Sequence, residues 1–357
     1  MRYRTRTSNL EPRTSNLEPM IRVIRTIDAH VGGQPVRLVI DGVPTPAGKS
    51  SPQQRDWWKR HADTYRRALI LEPRGHQDMT AMLLTQPTSP HAHAGLLFMD
   101  ASGYPSMSGH GVIAAATIAL ERALIVTHSE DTSHTLLTFD TPAGTVHADA
   151  RTDVRGGRAS VDSVAVTNVP AFVYAPSVSV RIGTRDVRVD VAYGGAFYAI
   201  VDTESVGVPL SPERVSDLRR LGVEISLAAG DTLRPVHPID GSIAGIAGVV
   251  FTAPANDPEA HLRNVTVKSG GSIDRSPGGT GTSAVMAVLD AMGLLPEGEP
   301  FVNEGLSGAL IRGRTVQRTI VGDFPALVAE IEAAAWITGE HTFLIDDDDP
   351  LSEGVDF

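Results

Sequence analysis

Ser108-Gly109-His110-Gly111-Val112-Ile113-Ala114 and Gly278-Gly279-Thr280-Gly281-Thr282-Ser283-Ala284 are two versions of one signal, and they decide the reading of this chain. Each sets x-Gly-x-Gly directly before an Ala-rich apolar run, GVIAAATIALERAL in the first case and TSAVMAVLDAMGLL in the second. The periodicity of both runs predicts helices. Glycine lets a backbone approach a ligand closely, and unpaired N–H groups at a helix N-terminus favour an anion. Two such ends facing one cleft can hold a small carboxylate between them, in a site built by duplication.

Working outward, alternation in IRVIRTIDAH and VRLVIDG from Ile21 onward predicts strands. RDWWKRHADTYRRALI reads as one amphipathic helix ending at the turn Glu72-Pro73-Arg74-Gly75-His76. MLLT and GLLFMD lead as strands into the first glycine-rich start, and LLTFDTPAGTVHADA reads as a hairpin turning at Pro142-Ala143-Gly144. ASVDSVAV, VSVRIG, RDVRVDVAYG and FYAIVD follow with no helix between them, which predicts mostly antiparallel pairing. SPERVSDLRRLGVEISLAA predicts a helix with Ser211 as N-cap and Glu213 in its first turn, and GVVFTA and RNVTVK lead to the second start. The implied fold class is α+β, in two similar domains with the cleft between them. The expected organisation is a disordered extension over 1–20, a first lobe over 21–148 to which 330–347 returns, a second lobe over 149–329, and a solvated acidic tail over 348–357. Residues 6–12 and 13–19 repeat the heptapeptide RTSNLEP, so Met20 is the expected beginning of the fold.

With 357 residues, 41% hydrophobic and 20% charged, the chain can bury a large core. Its 31 basic and 42 acidic residues give a net charge of −11, which argues against a nucleic-acid partner. No apolar run reaches the roughly 18 residues of a membrane span, and no signal-peptide pattern precedes the fold. The absence of cysteine excludes disulfides and fits a cytoplasmic location. Three further motifs fail. GVPTPAGKS puts five residues between Gly42 and Gly48 where a P-loop needs four. Ser108 lacks the glycine two residues upstream that a nucleophile elbow requires. His91 and His93 lie in a Pro-rich loop with no acidic partner nearby in sequence, so no metal site is expected.

Five segments in order, DAHVGGQP (28–35), EPRGHQDM (72–79), GYPSMSGHG (103–111), VAYGGAFYAIVD (191–202) and IDRSPGGTGTSA (273–284), resemble the proline racemase family from about Ile21 to Ile345. That family includes proline racemases, 4-hydroxyproline 2-epimerases and trans-3-hydroxy-L-proline dehydratases. The resemblance implies two pseudo-symmetric diaminopimelate-epimerase-like domains, each a central helix wrapped by mostly antiparallel strands. It also implies no cofactor, and a substrate carboxylate held by backbone N–H groups of Gly109, Gly279 and Thr280. Racemases and epimerases of the family carry two catalytic cysteines, in M-C-G-H-G and D-R-S-P-C-G-T-G, and dehydratases typically keep the first and carry Thr at the second. Here those positions are Ser108 and Gly278, a degenerate second acid/base position.

Two-base inversion needs a proton carrier on each face of the substrate Cα, and Gly278 has no side chain. Elimination of water needs a strong base on one face only. The resemblance therefore implies a hydro-lyase of the trans-3-hydroxy-L-proline dehydratase type, acting on a small imino acid, with a homodimer left open. The alternatives are an atypical epimerase or racemase and a catalytically silent imino-acid-binding homologue. Ser108 is expected to move a proton if His110, Asp274 or its helix end activates it, or else to cap the helix. His110 is expected to orient substrate or shuttle a proton, and Asp274 to approach the ring nitrogen. His76 is assigned to substrate binding, with Tyr193 beside the pocket or in the core. Gly32 and Gly33 are expected to form a tight turn near the cleft.

Overall fold

A computed structural model describes residues 21–127, 133–156, 158–295 and 299–355. The expected extension over 1–20 lies outside the described residues. The alternating pattern after Ile21 forms β1 (Arg22–Val31) and β2 (Gln34–Asp41), an antiparallel hairpin. Its turn is Gly32-Gly33, at φ 58° and 85°, where glycine alone is free of strain. Helices α1 (Ser51–His61) and α2 (Asp63–Ile70) carry the chain to β3 (Thr80–Thr85), parallel to β2, and β4 (Ala94–Asp100), antiparallel to β3. Helix α3 (Gly109–Glu121) follows, then a meander of β5 (His134–Thr141), β6 (Gly144–Arg155) and β7 (Arg158–Thr167), with β5 parallel to β4.

The same order then recurs. β8 (Ala171–Ile182), β9 (Arg185–Tyr193) and β10 (Phe197–Asp202) run antiparallel. The short α4 (Thr203–Val206), a 3-10 turn and α5 (Val215–Leu233) lead to β11 (Ile246–Ala253), parallel to β10. β12 (Leu262–Lys268) pairs antiparallel with β11 and with the short β13 (Ile273–Asp274). After α6 (Gly279–Ala291), β14 (Phe301–Glu304) returns parallel to β12 and continues through β15 (Leu310–Val321) and β16 (Phe324–Ala333). β17 (Ala335–Ile345) lies against β1 as β8 lies against β9, and β16 bonds to both β7 and β8. The duplication inferred from two glycine motifs is thus a duplication of the whole strand order.

Each half closes around its central helix. α3 packs against β1, β2, β6, β7 and β17, and α6 against β8, β9, β10, β15 and β16. Every residue of α3 from Gly109 to Ala119 is buried, which explains its Ala-rich, faceless composition: a helix enclosed on all sides has no polar stripe. No described helix is long and apolar enough to cross a membrane.

Three local expectations change. The single helix read across RDWWKRHADTYRRALI breaks at Ala62 (φ −140°, ψ 19°), so that Trp58 and Ala68–Ile70 all enter one core. Asp63 then opens α2 and holds the buried Arg66, which reaches the carbonyls of Asp100 and Ala101. Ser211 makes no side-chain cap; Pro212–Arg214 forms a 3-10 turn instead, and α5 begins only at Val215. The acidic C-terminal segment docks rather than standing free. Arg74 binds the carbonyls of Leu351 and Ser352, and the Val355 N–H donates to Glu72 O at 2.9 Å.

The helix starts meet so closely that a Cβ built on Gly109 would lie 3.0 Å from Gly279 Cα. Gly109→Ala is expected to destabilise the fold by about 1–3 kcal/mol through overpacking, read as a lower urea midpoint at unchanged m-value.

Candidate active site

The N-termini of α3 and α6 open onto one cavity of about 430 Å³. Ser108, Gly109 and His110 enter it from one helix start, and Gly278, Gly279, Thr280 and Gly281 from the other. β12, β13, β10 and β4 supply the remaining chemistry: Thr266 and Lys268, Asp274, Tyr198, and Asp100. Two helix ends aimed at one point make a positive, hydrogen-bond-donating floor suited to a carboxylate.

Ser108 is the N-cap of α3, with extended backbone and its Oγ accepting from Gly111 N–H at 3.2 Å. His110 does not reach it. The buried imidazole turns Nε2 to Ser276 Oγ and Nδ1 to Asp274 Oδ2, at 3.4 Å for the latter. Burial pushes the His110 pKa below its usual value, against the opposing pull of Asp274. The general base that the motif predicts for Ser108 is therefore occupied elsewhere.

Asp274 is the exceptional group. Burial raises its pKa, with His110 and Lys268 acting in the other direction. Its Oδ1 is buried and, among the described residues, makes no hydrogen bond. Its Oδ2 lies 3.3 Å from the point where a Cβ on Gly278 would stand, and His110 Cε1 and Thr266 Oγ1 lie 3.8 and 3.9 Å from that point. Gly278 itself sits at φ 76°, and its missing side chain opens a gap onto the Asp274 carboxyl. An unpartnered buried oxygen costs about 1–3 kcal/mol, a strain characteristic of functional sites.

Lys268, Asp100 and Tyr198 escaped the motif reading. Lys268 Nζ bonds Asp100 Oδ2 at 2.7 Å, while Asp100 Oδ1 accepts from Ser102 N–H, Ser102 Oγ–H and Gly103 N–H. Burial disfavours both charges, but the pairing wins and holds Asp100 below and Lys268 above their usual values. The Tyr198 hydroxyl, whose pKa burial raises, shares a hydrogen bond of 2.8 Å with Thr280 Oγ1. One signal was available: Lys49, Lys59 and Lys268 are the chain's lysines, and Lys268 closes the apolar strand RNVTVK just before the IDRSP motif.

Other assigned residues stand apart. His76 does not line the cavity; its Nδ1 accepts from Asp78 N–H inside the turn after α2, and burial and Arg275 lower its pKa. Tyr193 also lies outside the lining, in an aromatic cluster with Phe172, Phe197 and His237, its pKa pushed up to about 12 by burial. Gly32 presses on the loop that carries Ser276: its Cβ would stand 2.8 Å from Ser276 Cβ, and its carbonyl accepts from Ser307 Oγ–H. Among the described residues no group of three or more His, Cys, Asp or Glu is placed to hold a metal ion.

With this fold and cleft in view, the comparisons agree. The family model described as Proline racemase matches residues 26–356. A proline racemase of Clostridioides difficile is 38% identical over 334 residues, covering 93% of this chain and 98% of that one. A trans-3-hydroxy-L-proline dehydratase of Bacillus cereus is 37% identical over 333 residues, with the same coverage of 93% and 98%. A hydroxyproline epimerase from Agrobacterium vitis, solved with bound trans-4-hydroxy-L-proline, superposes with a TM-score of 0.85 at 30% identity, over 94% of this chain and 95% of that one. The chain belongs to the proline racemase family, whose members named here are isomerases and lyases.

The two perturbed groups act on stability in opposite senses. Because the folded His110 pKa is depressed, its contribution is present above about pH 6.5 and is lost as pH falls through the folded value. Because the folded Asp274 pKa is raised, its contribution is present below about pH 3.9 and is lost as pH rises through the folded value. In urea unfolding across a pH series, His110→Gln is expected to flatten the acid-side fall, and Asp274→Asn to raise stability at neutral pH.

Proposed function

We propose that this protein dehydrates trans-3-hydroxy-L-proline to a pyrroline-2-carboxylate without a cofactor. The observation that carries the reading is that a base stands on one face only: the Asp274 carboxyl lies at the gap left by Gly278, while Ser108 on the other face caps its helix. Elimination needs a base on one face only, whereas inversion needs a proton carrier on both. Relatives named as dehydratase, racemase and epimerase stand at 37%, 38% and 40% identity, so the choice among them rests on the site.

In this reading the backbone N–H groups of Gly109, Gly279 and Thr280 bind the substrate carboxylate. They also stabilise the negative charge that grows on it as the Cα proton leaves. Asp274 reaches that proton through the gap at Gly278. The oxygen at that gap is Oδ2, and burial makes the ionised carboxylate a stronger base than a solvated one. His110, fixed between Ser276 and Asp274, sets the carboxylate's orientation. Among the described residues no base meets the Ser108 hydroxyl, which accepts from Gly111 N–H, so on the opposite face it serves as a hydrogen-bond donor rather than a base.

A second reading, a hydroxyproline epimerase, is favoured by Asp274 and His110 beside the Gly278 gap, a proton carrier where the family has a thiol. Proton NMR in D₂O with trans-3-hydroxy-L-proline, trans-4-hydroxy-L-proline and L-proline separates the two. Consumption of the 3-hydroxy compound alone, with a pyrroline product, is the expected result. Deuterium entering Cα of the 4-hydroxy compound without loss of water would replace it with the epimerase reading. Asp274→Asn is expected to slow turnover by about 10²–10⁴-fold, and Ser108→Ala by no more than about tenfold, the loss of one hydrogen bond.

A further inference from the structure

The cavity also holds a cation, Lys268, to which the carboxylate cradle and the Cα-proton base described above give no role. Lys268 ends β12 and Asp100 ends β4, so their ion pair joins the two halves of the molecule across the cavity. The pair is pinned from the Asp100 side, where Ser102 and Gly103 saturate Oδ1 and only Oδ2 is left for the ammonium. An ammonium has three donors, and among the described residues Lys268 spends one within the chain. The Asp100 side chain is 3% exposed and that of Lys268 28%, so the cation is the open member of the pair, and it lines the cavity.

Position within the sheet relates this cation to the base. Thr266 and Lys268 are two apart on β12 and share a face, and Thr266 pairs directly across to Asp274 on β13. The carboxylate and the ammonium therefore rise from adjacent rows of one wall. A five-membered ring with its carboxylate on the helix starts and its Cα at Asp274 can turn C3 toward that wall.

We propose that Lys268 is the proton donor to the departing 3-hydroxyl, an inference that rests on the dehydratase reading above. Asp274 takes the Cα proton, and the C–H electron pair becomes the second bond between Cα and C3. The C3–O pair leaves with oxygen, and a proton from the Lys268 ammonium turns the departing hydroxide into water. The product is the pyrroline carboxylate, with Asp274 protonated and Lys268 neutral. Exchange with solvent restores both.

The test compares leaving groups, because fluoride departs with far less help from a proton than hydroxide does. Full-length wild type and Lys268→Met are given trans-3-hydroxy-L-proline and trans-3-fluoro-L-proline in D₂O. Elimination is followed by proton and fluorine NMR. The double variant Asp100→Asn/Lys268→Met is run alongside, since it leaves no unpaired buried charge. Both variants are expected to lose about 100-fold or more on the hydroxy substrate, the size of a general-acid contribution, and less than about tenfold on the fluoro substrate. Deuterium is expected to keep entering Cα of the recovered hydroxy substrate. Equal losses on both substrates would reduce Lys268 to a structural tie and overturn the proposal, as would variants that match wild type. A wild type that eliminates from neither substrate would instead overturn the dehydratase reading, and this inference with it.

Discussion

Two helices that end on each other impose the constraint from which the site follows. Each N-terminus carries roughly half a positive charge, and here two of them face one another at the contact between Gly109 and Gly279. Left alone, such ends repel. The strands wrapped around α3 and α6 hold them in place, and the stored repulsion becomes affinity for an anion that fits between. Only glycine allows the approach, since the nearest neighbours of either missing Cβ are backbone atoms of the opposite helix start. The close contact of the two helix starts is thus a property of the main chain and does not depend on the side chains around it.

On that invariant floor the side-chain chemistry of this chain is distinctive. A thiol combines nucleophilic softness with a pKa of about 8.5, and the chain has none. Two buried pairs stand in the cavity instead. His110 and Asp274 form a strained one, with a neutral imidazole and a carboxyl whose second oxygen is unsatisfied. Lys268 and Asp100 form a relaxed one, in which Asp100 is fully hydrogen-bonded and both partners favour their charged forms.

Much of this was legible in the chain. The alternating strands, the hairpin at Pro142-Ala143-Gly144, both central helices and the facing glycine starts follow from periodicity and from the chemistry of glycine. The break at Ala62 was not, because nothing in its side chain forbids helix; the sheet beneath sets where α2 must point. Ser211 takes the N-cap position with Glu213 in the first turn, but that turn is 3-10 and Ser211 makes no side-chain cap bond, so the signal marked where the segment starts and not the type of its first turn. His76 lies in a family-like segment, yet its ring closes its own turn instead of facing the cavity.

Taken alone, the sequence determined the duplicated architecture, the paired glycine helix starts and the absence of both thiols, since these depend on local period, on glycine and on residue identity. Tertiary structure alone decided which groups meet in the cleft. His110 finds Ser276 across 166 residues, and Lys268 finds Asp100 across 168. Such pairings depend on the closure of two strand shells around two helices, and the balance of burial against pairing then sets the charge of each group. No local pattern encodes either the distance or the dielectric, so the reacting groups become visible only once the two halves face each other.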